Sequence, residues 1–286
     1  MHQSVLLQES IENLNLKENS IIVDATLGYA GHSSEILKRI PKGKLIAFDQ
    51  DDEAIDASKK RLDQIASNYQ IIKSNFVHLK EELEKNNIKQ IDGILFDLGV
   101  SSPQLDEDYR GFSFHKDAIL DMRMDTSNPV SAYNVVNEYS KEQLMNIFYQ
   151  YGEEKYSNSI ASKIVEYRKN KKIETTLELV EIIKLAVPEK YKREHHPARK
   201  VFQAIRIEVN HELEVFEIAL RNALELLNKN GRVCVITFHS LEDKICKDIF
   251  KEVSEINPEL KHMPMIPKEY LPDFKVVHTI KPSKEE

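Results

Sequence analysis

The feature that most constrains the fold of this chain is the alternation of short apolar runs with helix-like stretches over its first hundred residues. The apolar runs lie at residues 21–25, 45–48, 70–72 and 94–96. The stretches between them carry apolar residues at the spacing of an amphipathic helix. Strands that alternate with helices are joined by crossover connections, so the pattern predicts an α/β fold in which helices cover both faces of a parallel sheet.

The alternation stops after Asp97. Residues 98–128 are dense in Gly, Ser, Pro, Asp and Arg, and they predict a long loop of the kind that is usually functional in a compact domain. Residues 131–187 show helical periodicity without a comparable strand signal, and Thr175 with Glu178 predicts a capped helix start. A helical segment is therefore inserted into the α/β pattern.

The last third of the chain returns to mixed signals. Apolar residues three or four positions apart predict one long amphipathic helix that ends at Asn230-Gly231; they are Phe202, Ile205, Val209, Leu213, Phe216, Leu220, Leu224 and Leu227. We expect a fifth strand at 233–236, a helix at 240–250 with Ser240 as its N-cap, and a weak last strand at 276–280.

These signals predict an α/β domain formed by residues 1–110 and 199–286 and interrupted by a helical domain at 111–198. The net charge of −7 argues against a nucleic-acid partner, but its distribution does not. Residues 155–206 contain 13 Lys and Arg against 6 Asp and Glu, a local charge of +7. Such a segment is either a solvated helical surface or a face that attracts phosphates.

The composition and the N-terminal residues indicate where in the cell the protein is expected. The chain has 286 residues, of which 41% are hydrophobic and 30% charged, as in soluble globular proteins. No apolar run approaches the ~18 residues that cross a bilayer. The N-terminus lacks a basic leader and the first lysine is Lys17, so we expect a cytoplasmic protein without a membrane partner. The two cysteines, Cys234 and Cys246, are too few for a disulfide scaffold and are expected to be free thiols.

A ligand site is indicated where the first two strands end. The first strand leads into a glycine-bearing turn, Asp24-Ala25-Thr26-Leu27-Gly28-Tyr29-Ala30-Gly31-His32. Asp49 ends the second strand, where a carboxylate can bind ribose hydroxyls. The turn lacks the dinucleotide spacing, and the carboxylate of Asp24 suits a cation better than a diphosphate. This favours S-adenosylmethionine over NAD, and an ordinary tight turn is the alternative.

Further polar residues follow the fourth strand. Asp97 leads into Leu98-Gly99-Val100-Ser101-Ser102-Pro103-Gln104, at the edge where parallel sheets bind ligands. Phe76, after the third strand, either packs on an adenine ring or belongs to the core. The loop sequence Asp121-Met122-Arg123-Met124-Asp125 is either an internal ion-pair network or a substrate loop.

The remaining polar residues suggest less specific roles. A stripe on the long helix is either solvated or faces phosphates; it contains Arg199, Gln203, Arg206 and Asn210. His195 and His196 lack the further ligands of a metal centre, so no metal site is predicted.

Six short sequence motifs of this chain occur in the same order as in one known family. They are residues 97–104, Arg110-Gly111-Phe112-Ser113-Phe114, 120–125, Tyr151-Gly152-Glu153-Glu154, 202–207 and Phe238-His239-Ser240-Leu241-Glu242-Asp243. The chain resembles the bacterial 16S ribosomal RNA cytosine-N4 methyltransferases, the RsmH or MraW family, over almost its whole length. The resemblance implies a class I methyltransferase domain, of the Rossmann-like α/β type, with an inserted helical domain that recognises RNA.

The resemblance also implies chemistry and site residues. The implied reaction moves a methyl group from S-adenosylmethionine to the exocyclic amine of one cytidine in 16S rRNA, near the P site of the small ribosomal subunit. The implied cofactor contacts are Ala30, Gly31, His32, Asp49, Phe76, Asp97 and Gln104. No motif assigns the catalytic hydrogen-bond acceptor, for which Asp121 and Asp125 are the candidates.

One position departs from the family pattern. The family usually has two adjacent glycines before the histidine of the turn, whereas this chain has Ala30-Gly31. We expect the extra methyl group to be tolerated if Ala30 keeps a negative φ. Two other functions stay open, a non-catalytic ribosome-assembly factor with this fold and a dinucleotide-dependent oxidoreductase.

Overall fold

The structure is a computed structural model that describes residues 4–100, 109–256, 258–260, 262 and 264–281. The chain forms two compact units. The first, the α/β unit, contains Met1–Gly99 and Leu213–Glu286; the second, the helical unit, contains Val100–Glu212. The helical unit therefore begins before residue 111 and continues past residue 198, the boundaries expected from the sequence.

The α/β unit is built on a parallel sheet with the strand order β3-β2-β1-β4-β5. Its strands are β1 (Ile21–Asp24), β2 (Lys44–Asp49), β3 (Tyr69–Lys73), β4 (Ile91–Asp97) and β5 (Leu227–Ile236). The order reverses between β1 and β4, which is the place where sheets of this kind bind ligands. The predicted α/β class is confirmed.

The described helices are numbered in chain order. They are α1 (Leu7–Asn13), α2 (Gly31–Arg39), α3 (Asp52–Leu62), α4 (Leu79–Lys85), α5 (Ala132–Glu138), α6 (Lys141–Gln150), α7 (Ser157–Tyr167), α8 (Thr176–Leu185), α9 (Glu189–Glu194), α10 (Arg199–Asn210), α11 (Glu212–Leu226) and α12 (Ser240–Ser254). Single 3₁₀ turns lie at Phe76–His78, Pro258–Leu260 and Lys268–Tyr270. Helices α5 to α10 belong to the helical unit. No helix in the described ranges is long and apolar enough to span a membrane.

Both faces of the sheet are buried. Val23 and Ile46 pack in one apolar cluster with residues of α4, α11 and α12. Their chain neighbours Ile22 and Leu45 lie in a second cluster with residues of α1, α2 and α3. Because successive side chains of a strand point to opposite faces, a strand covered on both sides must be apolar throughout. This is why β1, β2 and β4, which are mostly buried, read as continuous apolar runs.

The predicted single long helix is wrong. The structure has two helices, α10 and α11, and His211 between them takes a left-handed conformation with φ 50°, which a continuing helix does not allow. Apolar residues up to Val209 belong to the core of the helical unit, and those from Phe216 onward belong to a core of the α/β unit. One periodic pattern thus serves two separate cores.

Two strand predictions need correction. Strand β5 begins at Leu227, so Asn230-Gly231 lies inside it. The register shifts there, since Ile91 pairs with Leu227 and Gly93 with Arg232, and Asn230 has φ 67°. The predicted strand at 276–280 is not formed, and Val276 is 50% exposed. An apolar run needs a neighbouring strand to supply its ladder of hydrogen bonds, and residues 276–280 pair with no strand of the described sheet.

The helical unit has its own apolar core and a buried polar centre. Glu154 is fully buried and accepts hydrogen bonds from the backbone N–H of Tyr156 at 2.9 Å and the hydroxyl of Tyr191 at 2.6 Å. The ammonium of Lys155 lies 4.8 Å from the ring centre of Tyr191. The predicted start of α8 is confirmed, because the hydroxyl of Thr175 accepts from the N–H of Glu178.

Candidate active site at the carboxyl edge of the sheet

Asp24 fixes the turn that leaves the central strand β1. Its side chain is 1% exposed. One carboxylate oxygen accepts a hydrogen bond from the hydroxyl of Ser33 at 2.6 Å, and the other accepts from the backbone N–H of Thr26 at 3.1 Å. Burial raises the pKa of Asp24, and these hydrogen bonds oppose the rise. Asp24 therefore ties the end of β1 to the first turn of α2.

Asp49 holds the same turn from the neighbouring strand. Its Oδ2 accepts from the N–H of Gly28 at 2.8 Å, and its Oδ1 accepts from the N–H groups of Gln50 and Asp51 at 2.8 and 2.9 Å. Burial raises the pKa of Asp49 to about 6, so the carboxylate is mostly ionised at neutral pH. A carboxyl oxygen carries two lone pairs, and Oδ2 therefore keeps one for a ligand beside its bond to Gly28.

Ala30 takes the conformation that the sequence analysis did not expect. It is the N-cap of α2, with φ 58° and ψ 33°, so the condition of a negative φ is not met. This left-handed region costs an L-residue roughly 1–2 kcal/mol, whereas glycine adopts it readily. At Gly31 the reason for glycine is space, because a Cβ built there would lie 1.8 Å from the hydroxyl oxygen of Ser4.

Asp97 ends β4 beside this turn. Its Oδ2 lies 3.5 Å from Nδ1 of His32, whose side chain is 5% exposed. Burial, with the negative charges of Asp24 and Glu242, raises the pKa of Asp97 to about 7. Burial also lowers the pKa of His32. The carboxylates at this edge of the sheet thus raise each other's free energy when ionised, and a bound cation would relieve that repulsion.

Phe76 and Gln104 complete the expected set of cofactor residues. Phe76 follows β3 in a 3₁₀ turn and packs edge-on against Phe96, with ring centres 5.7 Å apart. It is only partly buried, so the core does not cover its whole ring. Gln104 lies outside the described residues.

A buried histidine–glutamate pair, which sequence reasoning missed, lies after β5. The side chains of His239 and Glu242 are 9% and 3% exposed, and Nε2 of the histidine is 3.2 Å from Oε1 of the glutamate. The other oxygen of Glu242 accepts from the backbone N–H of Phe238 at 2.9 Å. The prediction that Ser240 is the N-cap of α12 is wrong, because His239 occupies that position. The available signal was a histidine three residues before a glutamate directly after a strand.

Several polar atoms at this edge have no hydrogen-bond partner. In the part of the chain that the structure describes, they are Oδ1 of Asp97, Nε2 of His32 and both ring nitrogens of His239, and all four atoms are buried. A buried polar group without a partner costs about 1–3 kcal/mol. Such atoms beside ionisable carboxylates fit a ligand that brings positive charge together with its own donors and acceptors.

Asp121 and Arg123 of the helical unit bind each other. Nε and Nη2 of the arginine donate to the two oxygens of Asp121 at 2.9 and 2.8 Å. Its Nη1 donates to the carbonyl oxygens of Thr126 and Asn128. Burial raises the pKa of Asp121, but the hydrogen bonds and charge of Arg123 outweigh burial and lower it. The guanidinium thus holds the loop in shape, as the ion-pair interpretation expects.

Asp125 stabilises a turn in the same loop. Its Oδ1 accepts from the N–H and the hydroxyl of Ser127 at 2.8 and 2.7 Å, as in an Asx turn. Asn210 of α10 fastens the loop, because it accepts from the N–H of Met124 and donates to the carbonyl of Met122, each at 2.8 Å. A catalytic role for Asp121 or Asp125 stays a prediction.

The polar stripe of α10 binds the helical unit itself. Gln203 donates to the carbonyl of Tyr151 at 3.0 Å. The guanidinium of Arg206 forms a two-pronged pair with Glu212, at 2.8 and 2.9 Å. These contacts, with those of Asn210, use side chains that the sequence analysis assigned either to solvent or to phosphates.

Comparison with known proteins identifies the family of this chain. The sequence matches the MraW methylase family over residues 1–286. The chain belongs to that family. The resemblance drawn from the six sequence motifs is therefore confirmed.

Two curated relatives are called "Ribosomal RNA small subunit methyltransferase H". The one from Exiguobacterium sibiricum is 56% identical, and the alignment covers 96% of this chain and 89% of the relative. The one from Finegoldia magna is 51% identical over 100% of this chain and 93% of the relative. Among solved structures, NSun6 from Pyrococcus horikoshii with SFG covers 89% of this chain and 43% of its own, at 11% identity and a TM-score of 0.43.

The strained conformation of Ala30 gives the first prediction. Ala30→Gly relieves the left-handed strain but removes a buried methyl group, worth about 0.8 kcal/mol. We expect the free energy of unfolding to stay unchanged or to rise by up to about 1 kcal/mol. Ala219→Gly, at an equally buried position inside α11, is the control and should cost about 1–2 kcal/mol. Urea denaturation checks both, and equal losses would contradict the strain.

The raised pKa of Asp97 gives the second prediction. Between pH 4 and pH 7 the unfolded chain has lost this proton while the folded chain retains it, so stability falls as the pH rises through this window and levels off above it. Asp97→Asn removes this contribution. The Tm of the variant should fall less than that of the wild type when the pH is raised from 5 to 8. At pH 8 the variant should have the higher free energy of unfolding, by about 1–3 kcal/mol. An equal change of Tm between pH 5 and pH 8 in the two proteins would contradict the raised pKa of Asp97.

Proposed function

We propose that this protein transfers a methyl group from S-adenosylmethionine to the N4 amine of one cytidine in 16S rRNA, in the P-site region of the small ribosomal subunit. The observation that carries the proposal is the cluster of buried carboxylates and unpartnered polar atoms at the carboxyl edge of the sheet, in a chain of the MraW methylase family. The names of the relatives, as small-subunit rRNA methyltransferases, support the choice of substrate.

The residues at the edge suit the proposed donor. In this proposal the free lone pair of Asp49 accepts from the ribose hydroxyls, and Phe76 offers its uncovered face to the adenine. Asp97 and the turn at Ala30, Gly31 and His32 hold the amino-acid end, to which Gln104 is also assigned. When bound, the donor supplies an electrophilic methyl group on a positively charged sulfur.

The electrostatics argue against the oxidoreductase alternative. A dinucleotide would place a diphosphate at the turn after β1, next to Asp24 and close to the carboxylates of Asp49 and Asp97. Burial has already raised the pKa of each of these groups, so further negative charge there is strongly unfavourable. A positively charged nucleoside ligand has the opposite effect.

The nucleophile sets the catalytic problem. The lone pair of the cytosine amine is delocalised into the ring, so the protein must accept a hydrogen bond from that amine and hold it in line with the methyl carbon. The cytidine must also leave its stack to reach the donor, which favours a single-stranded or looped site.

The helical unit supplies the proposed grip on RNA. Lys169 and Lys172 lie in the segment between α7 and α8 and are exposed, and neither has an acidic partner among the described ion pairs. Arg168 differs, because its guanidinium donates to the carbonyls of Val136 and Tyr139. The two lysines are therefore the side chains of this segment that are available to phosphates.

The proposed function is tested by mass spectrometry of 16S rRNA from cells with and without this protein. We expect one N4-methylated cytidine to be lost in the deletion strain and restored by the wild-type gene. A methyl group lost at another base would overturn the substrate assignment. An unchanged RNA, together with altered subunit assembly, would favour the non-catalytic assembly factor.

The RNA surface gives a further prediction. Lys169→Glu combined with Lys172→Glu should weaken binding to small subunits. The slope of the logarithm of the binding constant against the logarithm of the salt concentration should become shallower by about one unit for each phosphate that is no longer bound. Lys59→Glu with Lys60→Glu, an equal charge change at exposed positions of α3, is the control and should leave the salt slope unchanged. Equal effects of the two pairs in filter-binding titrations would show a nonspecific charge effect.

A further inference from the structure

The buried pair of His239 and Glu242 has a geometry that helix capping does not explain. The side chain of His239 makes no capping hydrogen bond at the start of α12. Its backbone carbonyl serves the helix instead, by accepting from the N–H of Asp243 at 3.2 Å. The imidazole is thus buried at a cost, and neither of its nitrogens has a hydrogen-bond partner among the described residues.

Glu242 faces the ring from one side. One of its oxygens is occupied by the N–H of Phe238, and the other lies 3.2 Å from Nε2 of His239. That distance is short enough for an ion pair, although the contact is not a hydrogen bond in the free chain. Because the two ring nitrogens point in different directions, Nδ1 faces away from the glutamate. The state of one imidazole nitrogen is set by the partner of the other.

The pair lies just past the end of β5, next to the strand that ends at Asp97. Asp97 at the end of β4 pairs with Ile236 of β5, and His239 follows three residues later. Glu242 contributes to the raised pKa of Asp97, which places its charge near that carboxylate. The donor is proposed to bind around the ends of β1, β2 and β4. The end of β5 is therefore the flank of the site that is left for the target base.

We propose that Nδ1 of His239 accepts the proton that the target amine releases during methyl transfer, and that Glu242 is a positioning residue for the imidazolium that results. This inference rests on the proposed function. The N4–CH₃ bond forms as the S–CH₃ bond breaks, and the electron pair of the broken bond stays on the sulfur. The positively charged N4 then passes one proton to Nδ1, and the Nε2–H of the imidazolium faces the carboxylate of Glu242.

The burial of His239 without hydrogen bonds in the free chain is compatible with this role, because catalytic hydrogen bonds often form only in the complex. General-base catalysis by a positioned histidine contributes about 10²–10⁴-fold. A capping role alone would instead change stability and leave turnover of the folded protein intact.

The test compares His239→Ala with the control variant His78→Ala. His78 and Glu81 have the same spacing and lie on the same unit, but they are exposed, and Nδ1 of His78 lies 2.9 Å from the carboxylate of Glu81. His239→Ala should lower kcat on unmethylated small subunits at least about 100-fold, and added imidazole should restore part of the rate. Its calorimetric affinity for S-adenosylhomocysteine should stay within about twofold of the wild type. His78→Ala should change none of these quantities.

Two further variants keep the test decisive. His239→Asn replaces the alanine variant if that protein does not fold, and it should show the same loss of kcat. Glu242→Gln retains an oxygen for the N–H of Phe238 and should lower kcat about tenfold without changing KM for the subunit. An active His239 variant, or a loss of S-adenosylhomocysteine affinity that parallels the loss of kcat, would overturn the inference. A wild-type protein that makes no N4-methylcytidine would overturn the proposed function itself.

Discussion

The burial of several carboxylates at one edge of a parallel sheet is the constraint on which the site depends. Asp24, Asp49 and Asp97 stand at the ends of three adjacent strands, and each has a raised pKa. Backbone amides and a serine hydroxyl compensate the first two, whereas Asp97 keeps an unpartnered oxygen. The protein therefore concentrates buried acidic groups at the edge where the strand order reverses, and the cationic donor proposed above would relieve the repulsion between them.

The α/β unit was largely predictable because its signals are local. The strands β1, β2 and β4 are mostly buried, so each appears in the sequence as a short apolar run, and Asp24, Asp49 and Asp97 follow directly from their positions at the ends of these strands. The family resemblance then implied two of them, Asp49 and Asp97, as cofactor contacts. The second role of Asp49, in holding the backbone of Gly28, was not predictable, because it depends on the distance between two turns.

The errors share a physical cause, which is that sequence periodicity does not identify the partner of a side chain. A single apolar stripe crossed His211 and concealed two helices with different cores. The sequence also left two roles open for Arg123 and Arg206, and in the structure each is paired with a carboxylate of its own unit. His239 was only the neighbour of the predicted cap Ser240 in the sequence, and its burial and its unpartnered nitrogens distinguish it in the structure.

The position of the helical unit in the chain has a consequence for folding. β4 and β5 are neighbours in the sheet, but the whole helical unit separates them in sequence, so their pairing is a contact of very long range. During synthesis the helical unit emerges from the ribosome before β5 does, and domains generally fold as they emerge. The core of the helical unit is made of residues that all precede β5, whereas the sheet must wait for its last strand. A chain that ended at residue 212 would thus contain the whole helical unit but lack β5, and the edge of β4 that pairs with β5 would be open to aggregation.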